Sequence, residues 1–211
     1  MDIDHIRREY RTRGLRRSEL QADPIVQFKL WLQQAIEAGL KDPTAMTLAT
    51  VDADAQPSQR IVLLKEIDEL GFVFFTNYKS KKARDIEINS RVNLHFPWHD
   101  LDREVSVSGI ATKVSTVESQ QYFASRPRDS QLAAWASKQS EVIESRQVLL
   151  DQFQKLREQF DAGDVPLPDF WGGYRVQASR IEFWQGRENR LHDRFEYILR
   201  DGRWHSERLS P

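Results

Sequence analysis

The sequence predicts a mainly β protein with added helices, an α+β fold whose antiparallel strands close, or nearly close, into a barrel with the helices packed outside. Three observations predict it. Six to eight segments have the alternation or the β-branched and aromatic content of strands, and most are joined by links too short for a crossover. Capped segments with helical spacing stand between groups of strands instead of alternating with them one by one. No internal repeat, low-complexity run or linker divides the 211 residues. Residues 23–211 therefore read as one domain, with residues 1–22 as a polar, Arg-rich mobile or lid segment before it.

The elements follow in order. Asp23 and Pro24 open a helix as N-cap and first helical residue. Phe28, Trp31, Leu32, Ala35 and Ile36 then share one face, which predicts a core-facing stripe. The period changes at "AMTLATV" (45–51), a strand that turns through "DADAQP" into "SQRIVLLK" (58–65). "GFVFFTN" (71–77) is a third strand, and Ser80 caps a helix over 80–89. "RVNLHFPW" (91–98) and "REVSVSGIATKV" (103–114) are two more strands. Ser115 and Glu118 stand at capping-box spacing before a helical stretch. A longer helix is expected from about Glu141 to Ala162, with Val142, Leu149, Phe153, Leu156 and Phe160 as its apolar stripe and Gly163 as its stop. "DVPLPDFWGG" is a loop. Strands near 174–185 and 194–208 end the chain, the second folded at the hairpin signal Asp201-Gly202.

Composition excludes several function classes. Hydrophobic residues make up 39% and charged residues 30%, as in an ordinary soluble protein. The net charge of -1 gives no global pull toward nucleic acid or membrane, so neither is expected as a partner. There is no cysteine, hence no disulfide, thiol nucleophile or thiolate metal site. The charged start "MDIDHIRREYRTRG" is no secretory signal, and no apolar run approaches the ~20 residues of a membrane helix. A cytoplasmic location is expected. The five histidines have no metal-ligand spacing, and no phosphate-loop, dinucleotide, zinc-protease or serine-hydrolase motif occurs.

Four clusters could carry chemistry. Lys81 and Lys82 begin a helix, where free N–H groups already favour an anion such as phosphate; a solvated helix start is the blander meaning. In "QRIVLLK" strand alternation sends Arg60 to one face and Lys65 to the other, so one strand could touch two anions. Tyr122, Arg126 and Ser130 repeat at spacing four, a phenol, a guanidinium and a hydroxyl suited to phosphate, although Pro127 interrupts a continuous helix. Last, "IEFWQGRENRLHDRF" (181–195) places Arg190, His192 and Arg194 at alternate positions beside Trp184. If extended, three cationic groups share one face, a costly arrangement unless an anion or a π-system faces them. An exposed edge partnered by Glu188, Asp193 and Glu196 explains the same residues without a ligand.

Taken together, "RREY" (7–10), "QRIVLLK" (59–65), "SKKA" (80–83), "SRPRDSQ" (125–131), "SKQS" (137–140), "VPLPDFWGG" (165–173) and "IEFWQGRENRLHDR" (181–194) resemble the pyridoxamine 5′-phosphate oxidase family nearly end to end. The resemblance implies an FMN-binding split β-barrel and a homodimer with FMN at the interface. It implies that Arg60, Lys81, Lys82, Gln139 and Ser140 hold FMN, chiefly by its phosphate. Ile61, Val62, Leu63, Leu64, Lys65, Phe75, Thr76, Glu104, Trp184 and Arg194 surround the flavin. Lys65, Tyr122, Arg126 and Ser130 take the substrate phosphate. Arg190 and His192 are the catalytic residues over the pyridine ring, with Leu191 between them. Arg7, Arg8, Glu9 and Tyr10 belong to a segment that closes over the site. The implied reaction takes pyridoxamine 5′-phosphate or pyridoxine 5′-phosphate to pyridoxal 5′-phosphate, with O2 as acceptor and hydrogen peroxide as product. Two departures stand out. Glu104 replaces a usual Gln and cannot donate a hydrogen bond when ionised, and Lys81 replaces a usual Arg and loses bidentate geometry. FMN binding is expected to survive both. The competing meaning is a split-barrel flavin- or haem-binding protein without oxidase activity, against which the set Arg126, Ser130, Arg190 and His192 speaks.

Overall fold

Helix α1 (Pro24–Glu37) begins where the sequence places it, because Asp23 is extended and its side chain accepts the Ile25 N–H at 2.8 Å. The computed structural model describes Met1, residues 9–10 and residues 13–211. Phe28, Trp31 and Ala35 of α1 are buried as expected, and Leu32 is half-buried. Ile36 is exposed instead, because it lies at the border of the stripe where the helix turns back to solvent.

Nine strands form one antiparallel sheet: β1 (Ala45–Val51), β2 (Pro57–Leu63), β3 (Glu66–Asp68), β4 (Gly71–Asn77), β5 (Arg91–Trp98), β6 (Arg103–Lys113), β7 (Trp171–Gln185), β8 (Asp193–Arg200) and β9 (Arg203–Leu209). The order is β2-β1-β5-β6-β7-β4-β3. β2 and β3 follow each other in the chain yet stand at opposite ends of that order, so the sheet curls until its ends meet. The Lys65 N–H donates to Val73 O at 2.8 Å and ties the β2–β3 link to β4. The sheet is thus a curled half-barrel whose two ends are drawn together by the chain itself and are not joined by a ladder of hydrogen bonds.

The fifteen-residue strand β7 makes this possible. Trp171–Val176 pairs with β4, while Arg180–Gln185 pairs with β8, and β6 runs beside both halves with a register shift at Ser108/Gly109. A bulge of this kind turns a strand and lets it serve two neighbours. β8 and β9 form the hairpin, turning at Asp201 and Gly202, whose φ values of 50° and 72° fit a tight primed turn.

The barrel is filled by aromatic rings. Phe28 packs edge-on against Phe72 and Phe96, at centroid distances of 4.9 and 4.8 Å, and tilted against Trp98. All four are buried. We predict that Phe28→Ala lowers stability by about 3–5 kcal/mol, the usual loss for deleting a buried ring together with the cavity left behind. Urea denaturation followed by tryptophan fluorescence checks this; a loss below ~1 kcal/mol would mean that α1 is not an integral wall of the core.

The remaining helices lie outside the barrel: α2 (Lys81–Ile88), α3 (Thr116–Ser125), α4 (Arg128–Ala136) and α5 (Arg146–Gln159). Ser80 and Ser115 cap α2 and α3, the latter as the expected capping box. A second, smaller core of Phe123, Leu132, Val165 and Trp171 joins α3 and α4 to the start of β7, with Phe153, Leu156 and Phe160 of the α5 region packed against it. α5 is shorter than expected. It starts after Ser145, and Val142 is wholly exposed, because only the C-terminal half of its stripe meets this core. Residues 13–22 lie on the barrel: Leu15 is buried and its N–H donates to Asp193 Oδ2 at 3.0 Å. Among the described residues, no helix is long and apolar enough to cross a membrane, and no group of three or more His, Asp or Glu is placed to hold a metal ion.

Candidate active site

A cleft of about 730 Å3 lies between the β2 end of the barrel and helices α2–α4. Arg60, Lys82 and Gln139 line one part of it, with Thr76. Lys82 Nζ donates to Gln139 Oε1 at 2.7 Å and to Thr76 Oγ1 at 3.2 Å. These are neutral acceptors, and among the described residues Lys82 makes no ion pair. Burial, with Arg60 nearby, pulls the Lys82 ammonium down to about 8. Burial likewise lowers Arg60, partly opposed by Asp85. Two cations facing one cleft, only Arg60 of them near a carboxylate, are suited to an anion.

Lys65, Tyr122, Arg126 and Ser130 line the other part of the same cleft. Pro127 does end α3, as its ring requires, and starts α4, so Tyr122, Arg126 and Ser130 come from two helices and the corner between them. The Arg126 guanidinium lies 4.7 Å from the Trp171 ring centroid, and its NH1 is buried without a hydrogen-bond partner. Burial lowers its pKa and raises that of Tyr122. An unpaired buried guanidinium nitrogen is costly, and a phosphate oxygen would relieve it. Phe75, Tyr122 and Trp171 form one group of near-parallel rings, with centroids 3.9, 5.5 and 6.1 Å apart. Only glycine at 173 permits this, since a Cβ there would lie 2.8 Å from Phe75 Cε1. Trp171 was not expected in the site; the Trp-Gly-Gly run was its signal.

Ile61, Val62 and Leu63 line the cleft as well, and Ile61 and Leu63 are exposed. Leu64 does not reach it; the side chain is buried in the barrel core. The opposite-facing Arg60 and Lys65 were expected to serve separate sides. Both line the one cleft, because β2 ends at Leu63 and the backbone changes course before Lys65 joins β4. Lys81 and Ser140 stand beside the cleft: Lys81 Nζ is paired with Asp52 and Asp85, and its N–H donates to Ser140 Oγ at 3.1 Å.

A second cleft of about 390 Å3 is lined by His95, Glu104, Ser106, Glu182, Trp184, Arg194 and Pro211. It shares no residue with the first. Arg194 Nε donates to Glu182 Oε1 at 2.7 Å, which raises the Arg194 pKa. His95 Nε2 stands 3.9 Å from Glu104 Oε2 and offers that carboxylate a counter-group. His192 packs 4.6 Å from Trp184, and Tyr10 lies edge-on to both rings. Burial, then Arg190, lowers the His192 pKa, partly opposed by Glu104. His192 Nδ1 accepts the Arg187 N–H at 3.1 Å, so its neutral form carries the proton on Nε2.

The alternate-position face expected at 190–194 is not a strand. Glu188–Arg190 is a 3-10 turn, with Asn189 and Arg190 at φ 56° and 60°, and β8 starts only at Asp193. Successive left-handed residues break the two-residue alternation. Arg190 and Leu191 are exposed on this turn, and only Arg194 lies on the strand. Glu9 is exposed, and Arg7 and Arg8 lie outside the described residues.

Residues 32–160 match the family described as pyridoxamine 5′-phosphate oxidase, and residues 171–211 match the pyridoxine 5′-phosphate oxidase C-terminal dimerisation region. The chain belongs to the pyridoxamine 5′-phosphate oxidase family. It is 58% identical over 211 residues, covering all of both chains, to the pyridoxine/pyridoxamine 5′-phosphate oxidase of Teredinibacter turnerae, and 57% identical with the same coverage to that of Vibrio parahaemolyticus. Among solved structures it resembles PhzG from Burkholderia lata, seen with tetrahydrophenazine-1-carboxylic acid, at TM-score 0.87 and 27% identity over 92% of this chain and 95% of that one. A pyridoxamine 5′-phosphate oxidase-related, FMN-binding protein of Nostoc punctiforme shares the fold at TM-score 0.71, with 15% identity over 91% of this chain and 100% of that one. The split barrel is therefore this family's fold.

Proposed function

We propose that the protein is an FMN-dependent oxidase that converts pyridoxamine 5′-phosphate or pyridoxine 5′-phosphate to pyridoxal 5′-phosphate, with dioxygen as acceptor and hydrogen peroxide as product. One observation carries the reading. The first cleft is lined by two groups of cations, Arg60 beside Lys82 and Arg126 beside Tyr122 with Lys65 also on the lining, together with the stacked rings of Phe75, Tyr122 and Trp171. A phosphorylated cofactor beside a phosphorylated substrate needs such a pair.

Arg60, Lys82 and Gln139 would hold the FMN phosphate. Arg126, Lys65, Tyr122 and Ser130 would hold that of the substrate, the buried NH1 of Arg126 taking the oxygen it lacks. When bound, FMN would take a hydride from the substrate and pass its electrons to dioxygen. Trp184, Arg194, Glu104, Arg190 and His192 would face the reacting rings. Trp184, Arg194 and Glu104 line the second cleft and His192 with Arg190 borders it, whereas the phosphate groups line the first. The match to the dimerisation region supports a homodimer. We place FMN at its interface, where the first cleft of one protomer meets the second cleft of its partner. Ile61 and Leu63, apolar and exposed beside the first cleft, suit burial there. His192 would present its Nε2–H to the substrate, and Arg190 would orient it. The segment around Tyr10 would close over the second cleft, since Tyr10 stands against Trp184 and His192, whereas residues 13–22 are packed on the barrel. The reading places the enzyme in the cytoplasm, in pyridoxal 5′-phosphate biosynthesis and salvage, without nucleic acid or membrane partners.

The test is a visible spectrum of the FMN-loaded protein without oxygen. Pyridoxine 5′-phosphate should bleach the flavin, and air should restore it with pyridoxal 5′-phosphate formed. Bound flavin that bleaches with neither this substrate nor pyridoxamine 5′-phosphate would make the protein a flavin-binding relative without this activity.

A further inference from the structure

Asp85 lies one turn after Lys81 on α2, and its side chain is only 4% exposed. Its carboxylate accepts from Thr50 Oγ1 at 2.7 Å, from Ser58 Oγ at 3.2 Å and from Lys81 Nζ at 3.0 Å. The two hydroxyl oxygens also accept from Arg60: NH1 donates to Thr50 Oγ1 at 2.6 Å and NH2 to Ser58 Oγ at 2.7 Å. NH1 donates to Leu48 O as well, at 3.2 Å. Burial alone would raise the Asp85 carboxyl, but the bonds from Thr50, Lys81 and Ser58 hold it below the usual range.

The direction of these bonds is fixed by chemistry. An ionised carboxylate only accepts, and a hydroxyl has one proton and two lone pairs. Thr50 and Ser58 also lie 3.3 Å from each other, but the carboxylate is the charged acceptor and the nearer one to both, so they aim their protons at Asp85 and leave their lone pairs to Arg60. The carboxylate sets the hydroxyls, and the hydroxyls set the guanidinium. Asp85 forms a long ion pair with Arg60 at 3.9 Å, too far for a direct hydrogen bond, so the directional part of its hold on Arg60 runs through Thr50 and Ser58.

We propose that Asp85 is a positioning residue of the anion site: acting through Thr50 and Ser58, it aims Arg60 at the phosphate of the cofactor. The inference rests on reading the first cleft as the FMN site. A rival effect has the opposite sign. Asp85 brings a negative charge near the place of the phosphate, and by Coulomb's law alone its removal would strengthen anion binding. Sign and selectivity therefore decide.

The measurement is the affinity of the cofactor-free protein for FMN and for riboflavin, which lacks the phosphate, by flavin fluorescence. Asp85→Asn removes the charge and leaves one acceptor oxygen, for which Lys81 competes, with an NH2 that donates beside it, so the hydroxyl protons lose their fixed direction. We expect FMN to weaken about tenfold while riboflavin is unchanged. Thr50→Val keeps the charge of Asp85 and removes one relay hydroxyl; it should give the same FMN-selective loss, smaller in size. If Asp85→Asn fails to fold, Thr50→Val carries the test alone. Tighter FMN binding by Asp85→Asn would show a purely electrostatic residue, and equal weakening of both flavins would show a merely structural one; either overturns the proposal. Wild-type protein that binds FMN no better than riboflavin would overturn the reading of the cleft itself, before Asp85 enters.

Discussion

Lys82→Met will weaken FMN binding by about a hundredfold, because a charge-assisted bond to phosphate contributes ~1.5–3 kcal/mol. The methionine keeps the length of the stem and removes only the ammonium, which in the ligand-free protein rests on Gln139, Thr76 and Ser80. The substrate's KM should change far less, since Arg126, Tyr122 and Ser130 stand in the other part of the cleft. A variant that instead keeps FMN and raises only KM would reverse the assignment of the two phosphate positions.

The same residue predicts a pH dependence. Its pKa falls from 10.5 to about 8 through burial and the neighbouring Arg60. The unfolded chain therefore binds more protons than the folded one between those values, and the ligand-free protein should gain stability as pH rises from about 8 to 10.5. Bound phosphate favours the charged form, so FMN affinity should be flat below about pH 8 and fall by up to about tenfold per pH unit above it. In Lys82→Met both trends should vanish, and the ligand-free variant should melt higher than the parent. A site that binds by sacrificing stability in the empty state has this signature: function weakens and the apo fold strengthens on the same substitution. Fluorescence titration and thermal melts across pH 7 to 10, about the range set by the lysine and its shift, separate the two.

Much of this is legible in the sequence itself. The helix start at Asp23-Pro24, the Ser80 cap and the Ser115/Glu118 box are local chemistry, and each lies where the residues demand. So does the Asp201-Gly202 hairpin. What the sequence hid depends on partners distant along the chain. β3 is three residues long and exists because β4 lies beside it. The stripe of α5 reads as apolar over its full length, but only the half that meets Trp135 and Trp171 has a core to join. The clusters were legible as clusters, while their placement was not. Alternation put Arg60 and Lys65 on opposite faces, and the end of β2 brings both to one cleft. Alternation also put Arg190, His192 and Arg194 on one strand face, and the left-handed pair Asn189-Arg190 makes a turn instead. His95, Glu182 and Asp85 gave no motif, because their role is to face or hold other functional groups.

Arg190→Ala should lower turnover by about two to three powers of ten, the usual loss for removing one preorganised donor in a closed site, while FMN stays bound. The residue holds a φ of 60° on an exposed turn, and backbone strain of that kind persists where a side chain must be presented in one direction. The turn borders the second cleft through His192, which packs on Trp184, while the phosphate positions line the first. If the active site is composite, the defect can be rescued by a partner with a different defect. Lys82→Met damages only the first cleft and Arg190→Ala only the surroundings of the second. In a mixed dimer one site receives both injuries and the other neither. Co-expressed variants, assembled at random, should therefore recover about a quarter of wild-type activity, since half the dimers are mixed and each has one intact site of two. Each variant alone should be nearly inactive under limiting FMN. Absence of rescue in isolated mixed dimers would place both residues in the same site of the same chain. The two clefts would then have to approach each other within one protomer, contrary to the separate walls that β2 and β8 give them here.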